Sequence, residues 1–97
     1  MRNSILILGG GFDQLPAVHS VNKLGYASIV ADFNENCISS TYCDLFIHKS
    51  NRDVEGIYEE LNKYKNKYRI ILVFVIGTDI PVEACLLNDK FNIKSGF

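Results

Sequence analysis

Three sets of residues in this chain could bind a small ligand, and each set follows an apolar run that predicts a β-strand. The sets are Gly9-Gly10-Gly11 after residues 5–8, Asp32 at the end of residues 27–32, and Thr78-Asp79 after residues 70–76. Glycines leave backbone N–H groups accessible to an anion where a helix begins. Carboxylate and hydroxyl oxygens accept hydrogen bonds from a substrate. The pattern predicts a site for a substrate that bears a carboxylate or a phosphate.

Gln14 joins these candidates because it stands at the start of the helix that follows the glycines. The predicted substrate-binding residues are Gly10, Gly11, Gln14, Asp32, Thr78 and Asp79. A purely structural interpretation stays open, in which the glycines serve a tight turn, Asp32 ends a strand and Asp79 caps a helix.

Alternating strands and helices must position these residues. Apolar runs predict strands at residues 5–8, 27–32, 45–47 and 70–76, the last of them central in the sheet. Helices are predicted after the first, third and fourth strands. In helix one, Asp13 is expected to be the N-cap and Pro16 to lie in the first turn. Helix two is expected to begin with a capping box over residues 50–53. Helix three is expected to have an apolar side formed by Val82, Cys85, Leu86 and Phe91.

This order of elements predicts an α/β fold, a three-layer Rossmann-like half domain with helices on both faces of a parallel sheet. We expect about four strands in the order 3-2-1-4. Ligands bind such sheets at the carboxyl ends of the strands, where all three candidate sets lie.

Length and composition restrict the function further. The 97 residues suit a single domain, and a net charge of −1 disfavours nucleic acid and anionic membranes as partners. The absence of a signal-like or membrane-spanning segment predicts a cytoplasmic protein. Cys37, Cys43 and Cys85 lack a CxxC pair, and His19 and His48 lack a partner at metal-ligand spacing. We therefore assign no metal ligand and no catalytic residue.

A dinucleotide-binding fingerprint is matched only in part. Gly9 and Gly11 fit its first two glycines, and Asp32 stands near the distance expected for a ribose ligand. Gln14 occupies the position of the third glycine, which normally allows the helix to pack closely on the strand. A small nucleotide- or NAD-binding module is therefore an alternative, as is a ligand-free interaction domain with an open edge strand.

The order of several short motifs resembles the N-terminal domain of ATP-grasp ligases, the group of carbamoyl-phosphate synthase, biotin carboxylase and phosphoribosylaminoimidazole carboxylase. The resemblance covers nearly the whole chain. Its motifs are ILILGGG at residues 5–11, QLPA at 14–17, LGY at 24–26, the strand that ends at Asp32, Cys43-Asp44, and GTD at 77–79.

The resemblance implies that residues 1–97 are a single pre-ATP-grasp domain at the N-terminus of a longer protein. The parent enzyme would activate a carboxylate as an acyl phosphate and transfer it to an amine, with ATP and magnesium held by later ATP-grasp domains. This chain would form a wall of the substrate site, bind no cofactor and be inert alone. Gly10, Gly11 and Gln14 would form the substrate-facing loop and Thr78 and Asp79 would add polar contacts, while the contact at Asp32 varies within the family. Homodimerisation is left open.

Overall fold

The apolar runs of the sequence form one all-parallel sheet with helices packed against both faces. The computed structural model describes residues 1–75 and 81–93. The strands are β1 (Arg2–Leu8), β2 (Ala27–Asp32), β3 (Leu45–His48) and β4 (Tyr68–Phe74), and the helices are α1 (Leu15–Lys23), α2 (Val54–Asn62) and α3 (Pro81–Lys90), with a 3-10 helix at Ile38–Thr41. The strand order is β3-β2-β1-β4, which confirms the predicted α/β class and topology.

β1 lies between β2 and β4 and contributes to the core on both faces of the sheet. On one face, α1 places Val18 and Val21 against a cluster that includes Ile5 and Ile7 of β1. On the other face, α2 and α3 pack on a cluster that includes Leu6 and Leu8. Successive side chains of a strand point to opposite faces, so an uninterrupted apolar run is required where both faces are covered.

β4 lies at an edge of this sheet, although its sequence predicts a central strand. It pairs with β1, and no strand pairs with its outer side in residues 1–75 and 81–93. The pairing shifts between Ser4 and Ile5, where Ser4 faces Ile70 and Ile5 faces Leu72. Val73 is buried, whereas Ile70, Ile71, Leu72 and Phe74 are only partly buried.

The caps of the first two helices differ from those predicted. α1 has Gln14 rather than Asp13 at its N-cap, without a side-chain capping bond, while Pro16 lies in its first turn as predicted. α2 begins after Asp53, whose Oδ1 accepts a hydrogen bond from the Gly56 N–H at 2.9 Å. The predicted capping box placed Asp53 inside the helix, but Asp53 is itself the cap.

The apolar side predicted for α3 is wrong at Val82, Cys85 and Leu86, whereas Phe91 packs against the core as predicted. Val82 is 66 % exposed and Leu86 is 48 % exposed, and Cys85 is exposed as well. The face that packs on the sheet is formed instead by residues 84, 87, 88 and 91, which have helical spacing. Ala84 and Leu87 are buried against the sheet, and Val82 and Leu86 face outward. No helix in the described ranges is long and apolar enough to cross a membrane.

Candidate functional site

The glycine loop after β1 is already hydrogen-bonded within the chain. Gly9 has a left-handed φ of 100°, which turns the chain away from the sheet. The Gly9 N–H donates to the Ala31 carbonyl oxygen at 2.8 Å, and the Gly10 N–H donates to Asp32 Oδ2 at 2.8 Å. The Gly11 N–H donates to Gln14 Oε1 at 2.9 Å. An anion bound at these amides would have to displace the oxygen atoms that occupy them.

Asp32 connects the loops that follow the two central strands. Its Oδ2 accepts from the Gly10 N–H, and its Oδ1 accepts from the Asn34 N–H at 2.9 Å. Both bonds are to backbone groups, so the carboxylate fixes its loop in position. Asp32 is also partly exposed to solvent. The prediction that Asp32 reaches the same sheet edge as the glycines is confirmed by this contact.

Gly10 is the point at which the loop after β2 packs onto the glycine loop. The Gly10 carbonyl accepts a hydrogen bond from the Ser39 N–H at 3.0 Å. A Cβ atom at Gly10 would lie 2.6 Å from Cys37 Sγ and 2.9 Å from Val30 Cγ1. These distances are shorter than a carbon atom tolerates, so this position requires glycine for packing.

Gln14 fills the position where a dinucleotide fingerprint has its third glycine. The residue is only 7 % exposed, and its Oε1 holds the Gly11 N–H. Its Cδ would lie 3.5 Å from a Cβ at Gly9, so the side chain lies across the loop. Two of the predicted site residues, Gly11 and Gln14, are thus bonded to each other.

A cleft of about 370 Å³ opens between the glycine loop and the loop after β2. It contains Asp32 and is flanked by the side chains of Phe12 and Phe33, which are 78 % and 74 % exposed. Large exposed aromatic side chains are uncommon beside a polar loop and are typical of binding surfaces. The lining consists of Gly11, Phe12, Asp32, Phe33, Asn34, Asn36, Cys37 and Ile38.

Six of these lining residues were not among the predicted site residues: Phe12 of the glycine loop, and five residues of the polar segment between β2 and β3. The five are Phe33, Asn34, Asn36, Cys37 and Ile38. The available signal was a turn-rich segment directly after a strand that ends in Asp32. The predicted residues Thr78 and Asp79 lie outside the described residues.

His48 holds the outer part of this segment. Its Nε2 lies 2.8 Å from the Phe33 carbonyl oxygen, and its Nδ1 lies 3.8 Å from Glu35 Oε2. The ring also stacks near Phe46, with 6.3 Å between centroids. His48 therefore links β3 to the wall of the cleft. In residues 1–75 and 81–93, no group of three His, Cys, Asp or Glu side chains is placed to hold a metal ion.

The cysteines near the cleft are poor nucleophiles. Burial raises the pKa of the Cys37 thiol above 9.0, with Asp32 raising it further. Burial also raises the pKa of Cys43 to about 11. Because the thiolate is the reactive form, neither thiol is activated at neutral pH.

No protein-family model matches the chain, and no curated protein matches it significantly. Among solved structures, the chain is similar to a UDP-glucose 4-epimerase from Thermotoga maritima, determined with UDP-glucose. The TM-score is 0.65 at 20 % sequence identity, and the match covers 94 % of this chain and 35 % of the epimerase. The chain thus spans about a third of that protein. At this identity the similarity shows the Rossmann-like fold alone.

Proposed function

We propose that this chain is the substrate-side N-terminal domain of an ATP-dependent ligase of the ATP-grasp type, inert without the rest of its enzyme. The observation that carries the proposal is the hydrogen bond between Gln14 Oε1 and the Gly11 N–H. It distinguishes this loop from a dinucleotide site, although the strand order and the glycine loop suit both.

A dinucleotide site needs open N–H groups for the pyrophosphate and a small third residue beside them. Here Gln14 supplies an acceptor to one of those N–H groups and occupies the adjacent space. The buried Gln14 carboxamide therefore takes the place that a pyrophosphate oxygen would occupy at the Gly11 N–H. That arrangement suits a substrate-facing loop better than a cofactor cradle.

The outer edge of β4, to which the described residues add no further strand, supports the same proposal. The sequence of β4 is apolar along residues 70–74, yet most of its side chains are only partly buried. Apolar edge strands are normally paired or covered. We assign this edge to the ATP-grasp domains that would follow in the parent enzyme, where ATP and magnesium would be bound.

Calorimetry with NAD and with ATP tests the proposal on the 97-residue chain. We expect no binding in the micromolar range for either nucleotide, because the loop amides are occupied and the ATP site lies in other domains. Micromolar affinity for either one would overturn the proposal. Sequencing the gene beyond the codon for Phe97 is the second test: the reading frame should continue into ATP-grasp domains.

A small nucleotide-binding module is the second candidate, favoured by the cleft with Phe12, Phe33 and Asp32. An aromatic ring could stack on a phenyl group while ribose hydroxyls donate to Asp32. The epimerase with the similar fold was determined with UDP-glucose. If this candidate is correct, NAD or adenosine binds the chain and Asp32→Ala weakens that binding by about tenfold. Unchanged affinity would exclude it.

A further inference from the structure

The charge of the cleft is opposite to that expected for an anion site. Among the eight lining residues in the described part of the chain, Asp32 is the only Asp, Glu, Lys or Arg, and none of the eight is a cation. Two more carboxylates, Asp13 and Glu35, are next to lining residues in the sequence. A phosphate or carboxylate in the cleft would therefore lie beside a negative charge, and residues 1–75 and 81–93 place no compensating cation in the lining.

Two N–H groups of the glycine loop that could offset this repulsion are already used. The Gly10 N–H donates to Asp32, and the Gly11 N–H donates to Gln14. Asp32 can still accept hydrogen bonds from a ligand, because each carboxylate oxygen can accept two and each already has one from the backbone. By contrast, the Gly10 and Gly11 N–H groups cannot donate to a ligand without breaking the bonds they already make.

The phenyl rings beside Asp32 also favour a cationic ligand over an anionic one. Phe12 and Phe33 line the cleft and are mostly exposed. The face of an aromatic ring attracts a cation and also packs against an apolar chain. A carboxylate beside two such rings is a suitable environment for an ammonium group on an apolar body.

We infer that this cleft binds the ammonium group of an amine-bearing substrate through Asp32, with Phe12 and Phe33 packed against the substrate's apolar part. The inference rests on the proposed function in one respect: it assigns the amine-bearing substrate of the ligase to this domain. It replaces the carboxylate or phosphate expected from the glycine loop with a ligand of opposite charge.

Three ligands of the same chain length test the inference: pentylamine, pentanoate and pentan-1-ol, with inorganic phosphate as a fourth probe. Each is titrated into the isotope-labelled chain at neutral pH and constant ionic strength while backbone amide NMR signals are recorded. We expect pentylamine to shift the signals of Gly11, Phe12, Phe33, Asn34 and Asn36, and to bind about tenfold more tightly than pentan-1-ol. Pentanoate and phosphate should leave these signals unchanged.

Asp32→Asn removes the charge and should weaken pentylamine binding by about tenfold. Asp89→Asn is the matched control, since it removes one negative charge at an exposed position on α3 and should leave the affinity within about twofold. If Asp32→Asn does not fold, the comparison of the four ligands on the unaltered chain still tests whether the cleft prefers the amine. Equal or tighter binding of pentanoate or phosphate at these amides, no shifts with pentylamine, or unchanged affinity in a folded Asp32→Asn variant would overturn the inference.

The outcomes separate the inference from the proposed function. A reading frame without ATP-grasp domains would overturn the ligase but leave amine binding in the cleft intact. Conversely, a ligase whose isolated domain prefers pentanoate or phosphate would retain its function and contradict the ammonium site.

Discussion

Asp32 Oδ2 accepts a hydrogen bond from the Gly10 N–H at 2.8 Å, which joins the end of β2 to the loop after β1. The same carboxylate also holds the Asn34 N–H through Oδ1. One side chain therefore fixes the relative positions of both walls of the cleft. Ligand binding and loop structure are coupled at this residue, so the stability of each variant must be measured beside its affinity.

Gly10→Ala should destabilise the domain by about 1–3 kcal/mol, because the added Cβ would overlap Cys37 Sγ and Val30 Cγ1. Urea unfolding followed by circular dichroism measures the change. Gly11→Ala is the control, since its Cβ would meet only Gln14 Oε1 at 3.3 Å, the end of a side chain. Adding Cys37→Ala should recover part of the loss. Equal stability of Gly10→Ala and the wild type would contradict the packing described here.

Asp44→Ala should lower the free energy of unfolding by about 1–3 kcal/mol. Asp44 Oδ2 accepts from the N–H of buried Ser28 at 2.9 Å, and Oδ1 lies 3.4 Å from an Arg2 nitrogen. Its loss leaves the Ser28 N–H without this acceptor. Thermal and urea unfolding measure the effect, with Asp89→Ala as an exposed control on α3 that should differ little from the wild type. An Asp44 variant as stable as that control would contradict the expectation.

Asp53→Ala should destabilise α2 by about 1 kcal/mol, because the Gly56 N–H loses its capping acceptor. Ser50→Ala should cost less, since Ser50 Oγ accepts a longer bond of 3.2 Å from the exposed Arg52 N–H. Comparing the two variants by urea unfolding identifies the residue that caps the helix. A larger effect at Ser50 would restore the capping box predicted from the sequence.

The Cys43 thiol should make the domain less stable in alkali. Burial is the main cause that raises its pKa from the ordinary 9.0 to about 11, so the unfolded chain releases this proton at a lower pH than the folded chain. The contribution to stability is therefore complete below about pH 9 and is lost as the pH rises towards 11.

Unfolding free energies measured between about pH 8 and 11 test this, with the wild type compared with Cys43→Ala. The decline should be shallower in the variant, whereas exposed Cys85→Ala should follow the wild-type slope. Parallel curves for Cys43→Ala and the wild type would show that the thiol does not contribute.

The sheet could be predicted from the sequence because each strand is a short apolar run and parallel crossovers restrict its topology. The face of α3 could not, because Val82 and Leu86 are apolar yet exposed, and hydrophobicity alone does not show which face meets the sheet. Similarly, Ser50 and Asp53 are both typical capping residues, and only the start of α2 distinguishes them.

The candidate site was predictable in location but not in chemistry. Glycines after a strand indicate a loop at the carboxyl edge, and Asp32 was expected at the same edge. Its bond to Gly10 spans 22 residues of sequence, so no local pattern shows that it occupies a loop N–H. The two phenylalanines beside the cleft carry no periodic signal, because exposed loop positions have none.

The place of β1 in the sheet has a consequence for synthesis on the ribosome. Arg2 pairs with Tyr68 and Ile7 pairs with Phe74, so β1 receives this neighbour only after the intervening residues 9–67 have been synthesised. Contacts so distant in sequence slow folding. Until β4 emerges, the nascent chain carries an apolar strand with one unpaired side, which exposes it to aggregation and to chaperone binding.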